Sequence, residues 1–235
     1  MISTTTSQKA LNITLIRPPM QELRSNLSPY GAIPPIGLAY IAAALRDVGH
    51  HLNVIDAVGE SIDEYSEFKS PVGVIHSQGL SPERIVARIP EDTDLIGVTH
   101  MFLHEWPTIK QIVEKAKVKV PNALIVIGGE NSTAFWKSIF EETRAVDYCI
   151  LGEGENTIVN FTRRMVSGES LEELLGVACR NREIKELRKA LPARILDLNQ
   201  LSQPAWDLFP MESYWNTNIQ KCAYLFERKT GVRNL

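Results

Sequence analysis

A glycine pair at residues 128–129 follows an apolar run at residues 123–127 and precedes four polar residues, 130–133. Glycine lacks the Cβ atom that keeps a bulky group away from the backbone, so a ligand can approach the chain closely at this point. The polar residues are of types that cap helix starts, and they predict a helix that begins near Ala134. The strand end, the glycine pair and the helix start together predict a binding edge.

A second glycine-rich turn, Gly152-Glu153-Gly154-Glu155, also follows an apolar run and leads into a predicted helix. Its two carboxylates are of a type used in general acid–base catalysis, but the same turn suits helix capping as well. Helix capping and a loop geometry that excludes anions both remain open for Glu153 and Glu155, and we predict no catalytic residue in this chain.

The three cysteines, Cys149, Cys179 and Cys222, lie far apart in the sequence. No two of them have a Cys-x-x-Cys or similar spacing, so the sequence predicts neither a protein-ligated metal site nor an iron–sulfur cluster within this chain. We interpret them as buried or incidental thiols, because free cysteine behaves as a small apolar residue.

The composition limits the classes of partner. The chain has 235 residues, of which 44% are hydrophobic, a length that suits one main domain with a small appendage. Its formal net charge is -3 and it has no run rich in Lys or Arg, so we expect neither nucleic acid nor a membrane surface as partner. No apolar run approaches the roughly 20 residues of a membrane span, and residues 1–10 are polar. We therefore expect a cytoplasmic protein that binds a small molecule or another protein.

The elements that position these turns follow from the alternation of apolar runs with helical patterns. Five short apolar strands separated by helices predict an α/β fold with a doubly wound, five-stranded parallel sheet of the Rossmann or flavodoxin type. The predicted strands are residues 11–16, 51–56, 94–99, 123–127 and 145–151, and the predicted helices are residues 35–48, 81–89, 107–117, 134–142 and 155–165. Between the predicted elements, the sequence predicts a long loop at residues 20–32 and an insertion at residues 57–80. The sequence does not indicate the role of this insertion.

These patterns divide the chain into three parts. We predict a disordered tail at residues 1–10, an α/β domain at residues 11–168 and a C-terminal extension at residues 169–235. The ligand is expected outside the carboxyl ends of the strands, where α/β sheets place their binding sites.

The extension has two recognisable parts. Residues 176–180 and 183–187 predict a small hairpin. Residues 197–210 form a proline-broken segment that carries Trp206 and Phe209. Disordered tails rarely concentrate large apolar side chains, so we expect this linker to pack against the main domain.

Several segments, in the same order and over most of the chain, carry a family resemblance. They are Pro34 to His50, Val54-Ile-Asp56, Ile96-Gly-Val-Thr99, Ile127-Gly-Gly129, Asp147-Tyr-Cys-Ile-Leu-Gly-Glu-Gly-Glu155 and the Pro-Ala-Trp-Asp-Leu-Phe-Pro run that ends at Pro210. Together they resemble the N-terminal cobalamin-binding domain of cobalamin-dependent radical S-adenosylmethionine enzymes. The Gly-Glu-Gly-Glu turn and the Pro-Ala-Trp-Asp run are the more specific parts of this resemblance.

The resemblance implies cobalamin as the cofactor and a set of contact residues. In that family the corrin lies across the carboxyl ends of the strands, and the nucleotide tail enters near the glycine pair. The residues implied as contacts are Gly37, Leu38, Thr99, His100, Met101, Gly128, Gly129, Glu130, Asn131, Gly152, Gly154 and Glu155.

The chain departs from classical cobalamin carriers at the position of the cobalt ligand. Those proteins supply a histidine from an Asp-x-His-x-x-Gly motif after the first strand, where this chain has Arg17-Pro18-Pro19-Met20. We expect the benzimidazole to be displaced from cobalt and replaced by water, by nothing or by a residue of a neighbouring loop. His100 and His104 are the histidines near a strand end, and His100 also suits a purely structural role.

A second departure concerns the radical domain of that family, which holds a 4Fe-4S cluster through Cys-x-x-x-Cys-x-x-Cys and binds S-adenosylmethionine. This motif is absent from the sequence. We expect the chain to be a truncated product of a longer protein, with a stand-alone carrier that serves a separate radical subunit as the other possibility. The implied role is to carry (methyl)cobalamin for a methyltransferase-type reaction, with a radical S-adenosylmethionine domain as partner in cis or in trans.

The alternative from another class is a flavodoxin-like interaction module that binds no cobalamin and docks to a protein partner. A phosphoacceptor receiver needs an acidic cluster after the first strand, where Arg17-Pro18-Pro19 has the wrong chemistry. A nicotinamide dehydrogenase needs Gly-x-Gly-x-x-Gly at that position, and the chain lacks it.

Overall fold

A computed structural model describes residues 9–23, 32–70, 73–180 and 195–217 of the chain. Its strands are β1 (Asn12–Arg17), β2 (Met20–Leu23), β3 (His51–Asp56), β4 (Tyr65–Ser70), β5 (Gly73–Gln78), β6 (Leu95–Thr99), β7 (Leu124–Gly128), β8 (Tyr148–Ile150) and β9 (Val177–Ala178). Its helices are α1 (Ile36–Asp47), α2 (Pro82–Ala87), α3 (Trp106–Lys119), α4 (Glu130–Glu142) and α5 (Glu155–Ser167).

The central sheet confirms the predicted fold class. Its strand order is β3-β1-β6-β7-β8-β9, and the first five strands are parallel. The chain crosses from one side of β1 to the other between β3 and β6, so the topological switch point lies between β1 and β6. The sixth strand, β9, pairs antiparallel with β8 and comes from the segment predicted as half of a hairpin. Residues 183–187, the other half, lie outside the described residues.

Helices cover both faces of this sheet, as an all-parallel sheet requires. One apolar core packs α1 and α5 against the sheet, with Ala42 and Phe161 fully buried. The other packs α2, α3 and α4 against the opposite face, with Ile109 and Ile139 among its members. Within the described ranges, no helix is both long enough and apolar enough to cross a membrane.

A second sheet was not predicted from the sequence. Strands β2, β5 and β4 form a three-stranded antiparallel sheet in that order, with Gln21 opposite Ser77 and Ser77 opposite Ser66. The prediction of a continuous loop over residues 20–32 is therefore wrong at residues 20–23. β4 is exposed along almost all its length, so it lacks the alternating burial that marks a strand in sequence. Its formation depends on pairing with a distant segment.

Helix α4 also begins earlier than predicted. It starts at Glu130, directly after Gly129, rather than near Ala134. Gly129 has φ +116°, a conformation that side-chain-bearing residues rarely adopt, and this lets the chain turn from strand into helix through a single residue. Non-helical dihedral angles at Phe135 mark a kink close to the predicted start.

The proline-broken linker packs on the main domain as predicted. The backbone N–H of Ala205 donates to the carbonyl oxygen of Ala39 over 3.0 Å, and both residues are fully buried. Arg46 forms an ion pair with Asp207 at 2.7 Å, and Phe209 is buried in the same core as α1. The linker is thus held along α1.

The cysteines within the described residues have the predicted character. Cys149 and Cys179 are both buried. Burial raises the pKa of the Cys149 thiol well above its usual range, so it is not a thiolate at neutral pH. Cys222 and the predicted tail up to residue 8 lie outside the described residues.

Candidate functional site

A large cavity opens at the carboxyl edge of the central sheet, beside the switch point between β1 and β6. Its volume is about 990 Å³, and apolar side chains dominate its lining. This volume is at the upper end of the range for small-molecule sites in proteins. The cavity therefore suits a bulky ligand with a large apolar surface.

The floor of the cavity is the edge where β6 and β7 end. The backbone N–H of His100 donates to the carbonyl oxygen of Gly128 over 2.7 Å, and the N–H of Asn131 donates to the carbonyl oxygen of His100 over 3.2 Å. A Cβ atom on Gly129 would lie 2.7 Å from that same His100 carbonyl oxygen. The chain can pass this close to the His100 carbonyl group only because residue 129 has no side chain. Bare backbone therefore faces the cavity at this point.

One wall is formed by the first turn of α1 and the turn that leads into α5. A Cβ atom on Gly37 would meet no heavy atom within 4 Å, so this glycine leaves open space beside the cavity. Gly154 approaches α1 closely, because its Cβ would lie 3.0 Å from Cδ1 of Ile41. Gly37 thus widens the cavity where α1 begins, and Gly154 lets the turn before α5 pack closely against α1.

The remaining cover comes from the second sheet, which sequence analysis missed. Met20, Gln21 and Glu22 of β2 and Ile75 of β5 line the cavity. No local signal in the sequence marks these residues as site residues, because they reach the cavity only through antiparallel pairing. The site is therefore a space between two sheets rather than an open edge of one.

Most of the residues implied by the resemblance line this cavity. They are Gly37, Leu38, Thr99, Met101, Gly128, Gly129, Gly152, Gly154 and Glu155. His100, Glu130 and Asn131 are not among its lining residues.

His100 is instead a core residue behind the floor. It is fully buried, its ring stacks on Trp106 with the ring centroids 5.5 Å apart, and Nδ2 of Asn131 lies 2.8 Å from its Nε2. Burial lowers the pKa of His100 to about 4, against an opposing hydrogen bond with the backbone of Phe102 and with a smaller lowering from His104. The imidazole is neutral at physiological pH and its environment matches the structural interpretation.

Glu105 is a buried acid in the cavity wall. Its residue is 7% exposed, and burial raises its pKa to about 7, against a backbone hydrogen bond at Phe102 and the charge of Arg17. A carboxyl group with such a pKa is partly protonated near neutral pH and can then donate a hydrogen bond. It adds one polar group to a mainly apolar lining.

Glu155 presents an unsatisfied acceptor. Its Oε2 atom is buried, and none of the described residues gives it a hydrogen-bond partner. Of the roles that the sequence left open for this turn, helix capping by a side chain is not observed, since the N-cap of α5 is Gly154 and no side chain caps this helix. Glu153 instead accepts a hydrogen bond from the backbone N–H of Ile195 over 2.6 Å. A buried acceptor without a partner fits a ligand that carries N–H donors.

A charged network joins the cavity to the C-terminal segment. Arg17, which lines the cavity, pairs with the buried Asp56 at 3.5 Å. The hydroxyl of Tyr214 donates to Oδ2 of Asp56 over 2.5 Å and accepts from Arg17. Tyr214 is fully buried against Gly59, whose missing Cβ makes room for its ring. The Asp56 charge is thus paired despite its burial.

Comparison with known proteins identifies the family. The family model "B12 binding domain" matches residues 26–162, more than half of the chain. The cytidylyl-2-hydroxyethylphosphonate methyltransferase of Streptomyces wedmorensis is 25% identical, over 84% of this chain and 40% of that protein. The anaerobic magnesium-protoporphyrin IX monomethyl ester cyclase of Synechocystis is 24% identical, over 87% of this chain and 37% of that protein. An uncharacterized methyltransferase of Pyrococcus horikoshii is 24% identical, over 88% of this chain and 40% of that protein.

The chain spans about 40% of the length of these relatives. A solved structure of the response regulator RcsB from Salmonella typhimurium matches 94% of this chain and 84% of its own chain, with 12% sequence identity and a TM-score of 0.44. This likeness is too low to bear on function.

The residues present fit a corrin, a broad apolar ring system edged with amide groups. The cavity is large and mostly apolar, Gly37 leaves open space in its wall, and Glu155 offers a buried acceptor to an amide N–H. The family match covers the strands and turns that build the glycine-lined edge. The chain belongs to the B12-binding domain family, and its cofactor is cobalamin.

Proposed function

We propose that this domain is a carrier of (methyl)cobalamin for a methyltransferase-type reaction, and that a radical S-adenosylmethionine domain outside the chain, with its 4Fe-4S cluster, completes the enzyme. Two of the relatives named above are methyltransferases by name, and the chain spans only about 40% of their length. Bound cobalamin supplies a cobalt centre that can carry an alkyl group. The protein supplies binding, orientation and control of access.

The chain's own residues divide these tasks among them. The backbone at Gly128 and Gly129, which carries no side chains, would let the ligand approach the strand ends closely. Glu155 orients the ligand by accepting an amide N–H with its free oxygen. Met20 and Ile75 of the second sheet exclude water from the opposite side.

The proposed contact set follows from the cavity rather than from position in sequence alone. It comprises Gly37, Leu38, Thr99, Met101, Gly128, Gly129, Gly152, Gly154 and Glu155. His100, Glu130 and Asn131 are left out of this set because they do not line the cavity.

The open space at Gly37 supports this proposal most directly, because side chains of different size at this position can test whether the ligand occupies that space. We would incubate the purified chain with hydroxocobalamin, desalt it and record the visible spectrum. The chain should retain corrin bands in stoichiometric amount. Gly37→Phe should fill the space and lower retention at least tenfold, while Gly37→Ala should retain corrin, because a methyl group meets no atom within 4 Å.

Circular dichroism serves as the folding control for both variants. A folded, colourless wild-type chain would contradict the carrier function. Equal retention by Gly37→Phe and Gly37→Ala would contradict the proposed placement of the ligand against α1.

One observation favours a protein-docking role as the second candidate. The rim of the cavity carries Ile33, Ile36 and Phe102, which are 57–65% exposed, and Met101 at 47%. Exposed apolar side chains that cluster in this way mark interaction surfaces. In the carrier proposal the radical domain closes against this rim in cis or in trans, whereas in the alternative the rim docks a different protein partner.

A further inference from the structure

The polar groups that line the cavity are unbalanced in charge. Among the described residues of the lining, four carry carboxyl groups and one carries a guanidinium group. They are Glu22, Glu105, Glu153, Glu155 and Arg17. The guanidinium group of Arg17 already pairs with the buried Asp56 at 3.5 Å, so little positive charge is left to attract an anion. The lining therefore opposes a negatively charged group on a ligand and favours groups that donate hydrogen bonds.

One of these carboxyl groups, that of Glu155, lacks a donor. Its Oε2 atom is buried, and no described residue donates a hydrogen bond to it. Glu155 lies in the first turn of α5, where the helix dipole stabilises a negative charge. A carboxylate oxygen only accepts hydrogen bonds, and a buried acceptor without a donor costs free energy. A ligand N–H group that reaches Oε2 removes this cost.

The wall around Glu155 is apolar. Ile158 lies about one helical turn further along α5, on the same face of the helix, and it also lines the cavity. Leu38 and Ile41 of α1 line the cavity as well, and they pack in the same apolar core as Ile158. These side chains have no hydrogen to donate. A large ligand displaces water from such a wall, so the donor for Glu155 must then come from the ligand itself.

Glu153, two residues earlier in the same turn, provides a contrast within the cavity lining. Its Oε2 atom accepts a hydrogen bond from the backbone N–H of Ile195 over 2.6 Å, and its side chain is exposed. The two glutamates therefore bring the same kind of group to one turn. Of the two, Glu155 is the one that holds a buried acceptor without a partner.

An amide and a carboxylate have nearly the same shape, but they meet Glu155 in opposite ways. A primary amide has two N–H groups, either of which can satisfy Oε2. A carboxylate has no hydrogen to donate, so both groups would lack a donor and two like charges would face each other. Sites built around a hydrogen bond to the ligand reject analogues without that group more strongly than apolar pockets reject a change in size. Glu155 can thus distinguish an amide from a carboxylate at the corrin edge.

We propose that Glu155 makes this cavity select corrins whose edge carries primary amides, and reject otherwise identical corrins in which the amide that meets Glu155 is a carboxylate. This inference rests on the proposed cobalamin-carrier function and adds the class of corrin that the carrier accepts. Glu155 is the specificity-determining residue in this assignment, and Glu153 is not.

A set of corrins that differ in one group tests the assignment. The set consists of hydroxocobalamin and its monocarboxylic acids, in which each primary amide in turn is hydrolysed. Equilibrium dialysis of the full chain near neutral pH, with corrin absorbance as the readout, gives the Kd of each compound. One acid, in which the carboxylate replaces the amide at Glu155, should bind about tenfold more weakly than the other acids. The comparison among the acids removes the general effect of one added charge.

Two variants separate the unpaired acceptor from the charge of the turn. Glutamine has both a carbonyl oxygen and an NH₂ group, so in Glu155→Gln it can meet either an amide or a carboxylate. The weakest acid should then bind within about threefold of the others. Glu153→Gln is the matched control, because it removes one negative charge from the same turn and leaves Glu155 in place. It should keep the tenfold difference, and circular dichroism should show both variants folded.

Each other outcome contradicts a specific statement. Equal affinity of the wild-type chain for all the acids would overturn the assignment and leave the carrier function intact. A weak acid that stays weak in Glu155→Gln would also overturn it. Equal relief in Glu153→Gln would do the same, since the charge of the turn would then be responsible. A folded wild-type chain that binds neither hydroxocobalamin nor any acid would instead contradict the carrier function itself.

Discussion

The cavity is enclosed by two regions of different origin, the carboxyl edge of the parallel sheet and the antiparallel sheet of β2, β5 and β4. The first belongs to the main core: Ile96, Ile125 and Ile127 beneath it are fully buried. The second is thin, and Tyr65 and Phe68 of β4 are 57% and 39% exposed. The floor is thus part of the cooperative unit of the domain, while the cover has few buried contacts of its own.

This difference has a consequence for the dynamics of the site. Regions with few buried apolar contacts open locally at a lower free energy than the core. We therefore expect the cover to open without unfolding of the sheet, and a large cofactor to enter by that route.

Two isoleucine truncations test the comparison directly. Ile127→Ala in β7 should lower the free energy of unfolding by about 4 kcal/mol, because it empties volume in the main core. Ile75→Ala in β5 should change the global unfolding transition much less, but should speed hydrogen exchange in β2, β4 and β5 and lower corrin retention. Chemical denaturation and mass-detected hydrogen exchange measure both effects. Equal global losses would show that the two sheets form one cooperative unit.

The floor is tested at its tightest point. Gly129→Ala should cost about 3 kcal/mol of stability, because φ is +116° and the new Cβ would lie 2.7 Å from the His100 carbonyl oxygen. Gly168→Ala is the matched control, with φ +75° and no atom within 4 Å, and should cost only about 1 kcal/mol. Thermal denaturation compares them. Similar costs would mean that the close approach at residue 129 contributes little beyond the backbone strain.

The histidine behind the floor predicts a pH dependence. The pKa of His100 is about 4 in the folded chain and about 6.5 when unfolded, so the unfolded state binds more protons between these values. Stability should fall as the pH drops from 6.5 towards 4, by roughly 2 to 3 kcal/mol from this group. His100→Gln should flatten that part of the profile of unfolding free energy against pH, whereas the exposed His51→Gln should not. An unchanged profile for His100→Gln would place the acid sensitivity elsewhere.

The smallest effect concerns the C-terminal segment. Tyr214→Phe removes the hydroxyl that bonds both Asp56 and Arg17 and should cost about 1 to 2 kcal/mol. Tyr40→Phe is the control, because the hydroxyl of Tyr40 has no hydrogen-bond partner among the described residues. A loss for Tyr214→Phe larger than that of Ile127→Ala would mean that the extension, rather than either sheet, dominates the stability of the domain.

The parts of the fold that were predictable are those with local signals. Buried apolar runs and helical patterns located the five parallel strands and their helices, and the helix predicted at 35–48 is observed at Ile36–Asp47. The glycine turns at residues 128–129 and 152–154 were also visible, because glycine is selected for backbone conformation and close approach. Patterns of this kind depend on residues that are close in sequence, so they can be recognised without knowing which strand pairs with which.

The roles of individual side chains were less accessible. The sequence placed His100 and His104 side by side as candidates near a strand end, and only the structure shows one buried against Trp106 and the other in the cavity wall. Two residues four apart on a loop can face opposite ways, and the direction is set by contacts with distant elements. His104 is oriented by Gln21, 83 residues earlier in the chain.

The sequence by itself determined the class of the domain, the order of its parallel strands along the chain and the glycine-lined edge that faces the cavity. Only the tertiary structure decided that a second sheet covers this edge, that helix α4 begins directly after Gly129 and that Tyr214 reaches back to Asp56, 158 residues away. The physical reason is that local patterns record burial and backbone preference, whereas antiparallel pairing and paired buried charges form between segments that are remote in sequence.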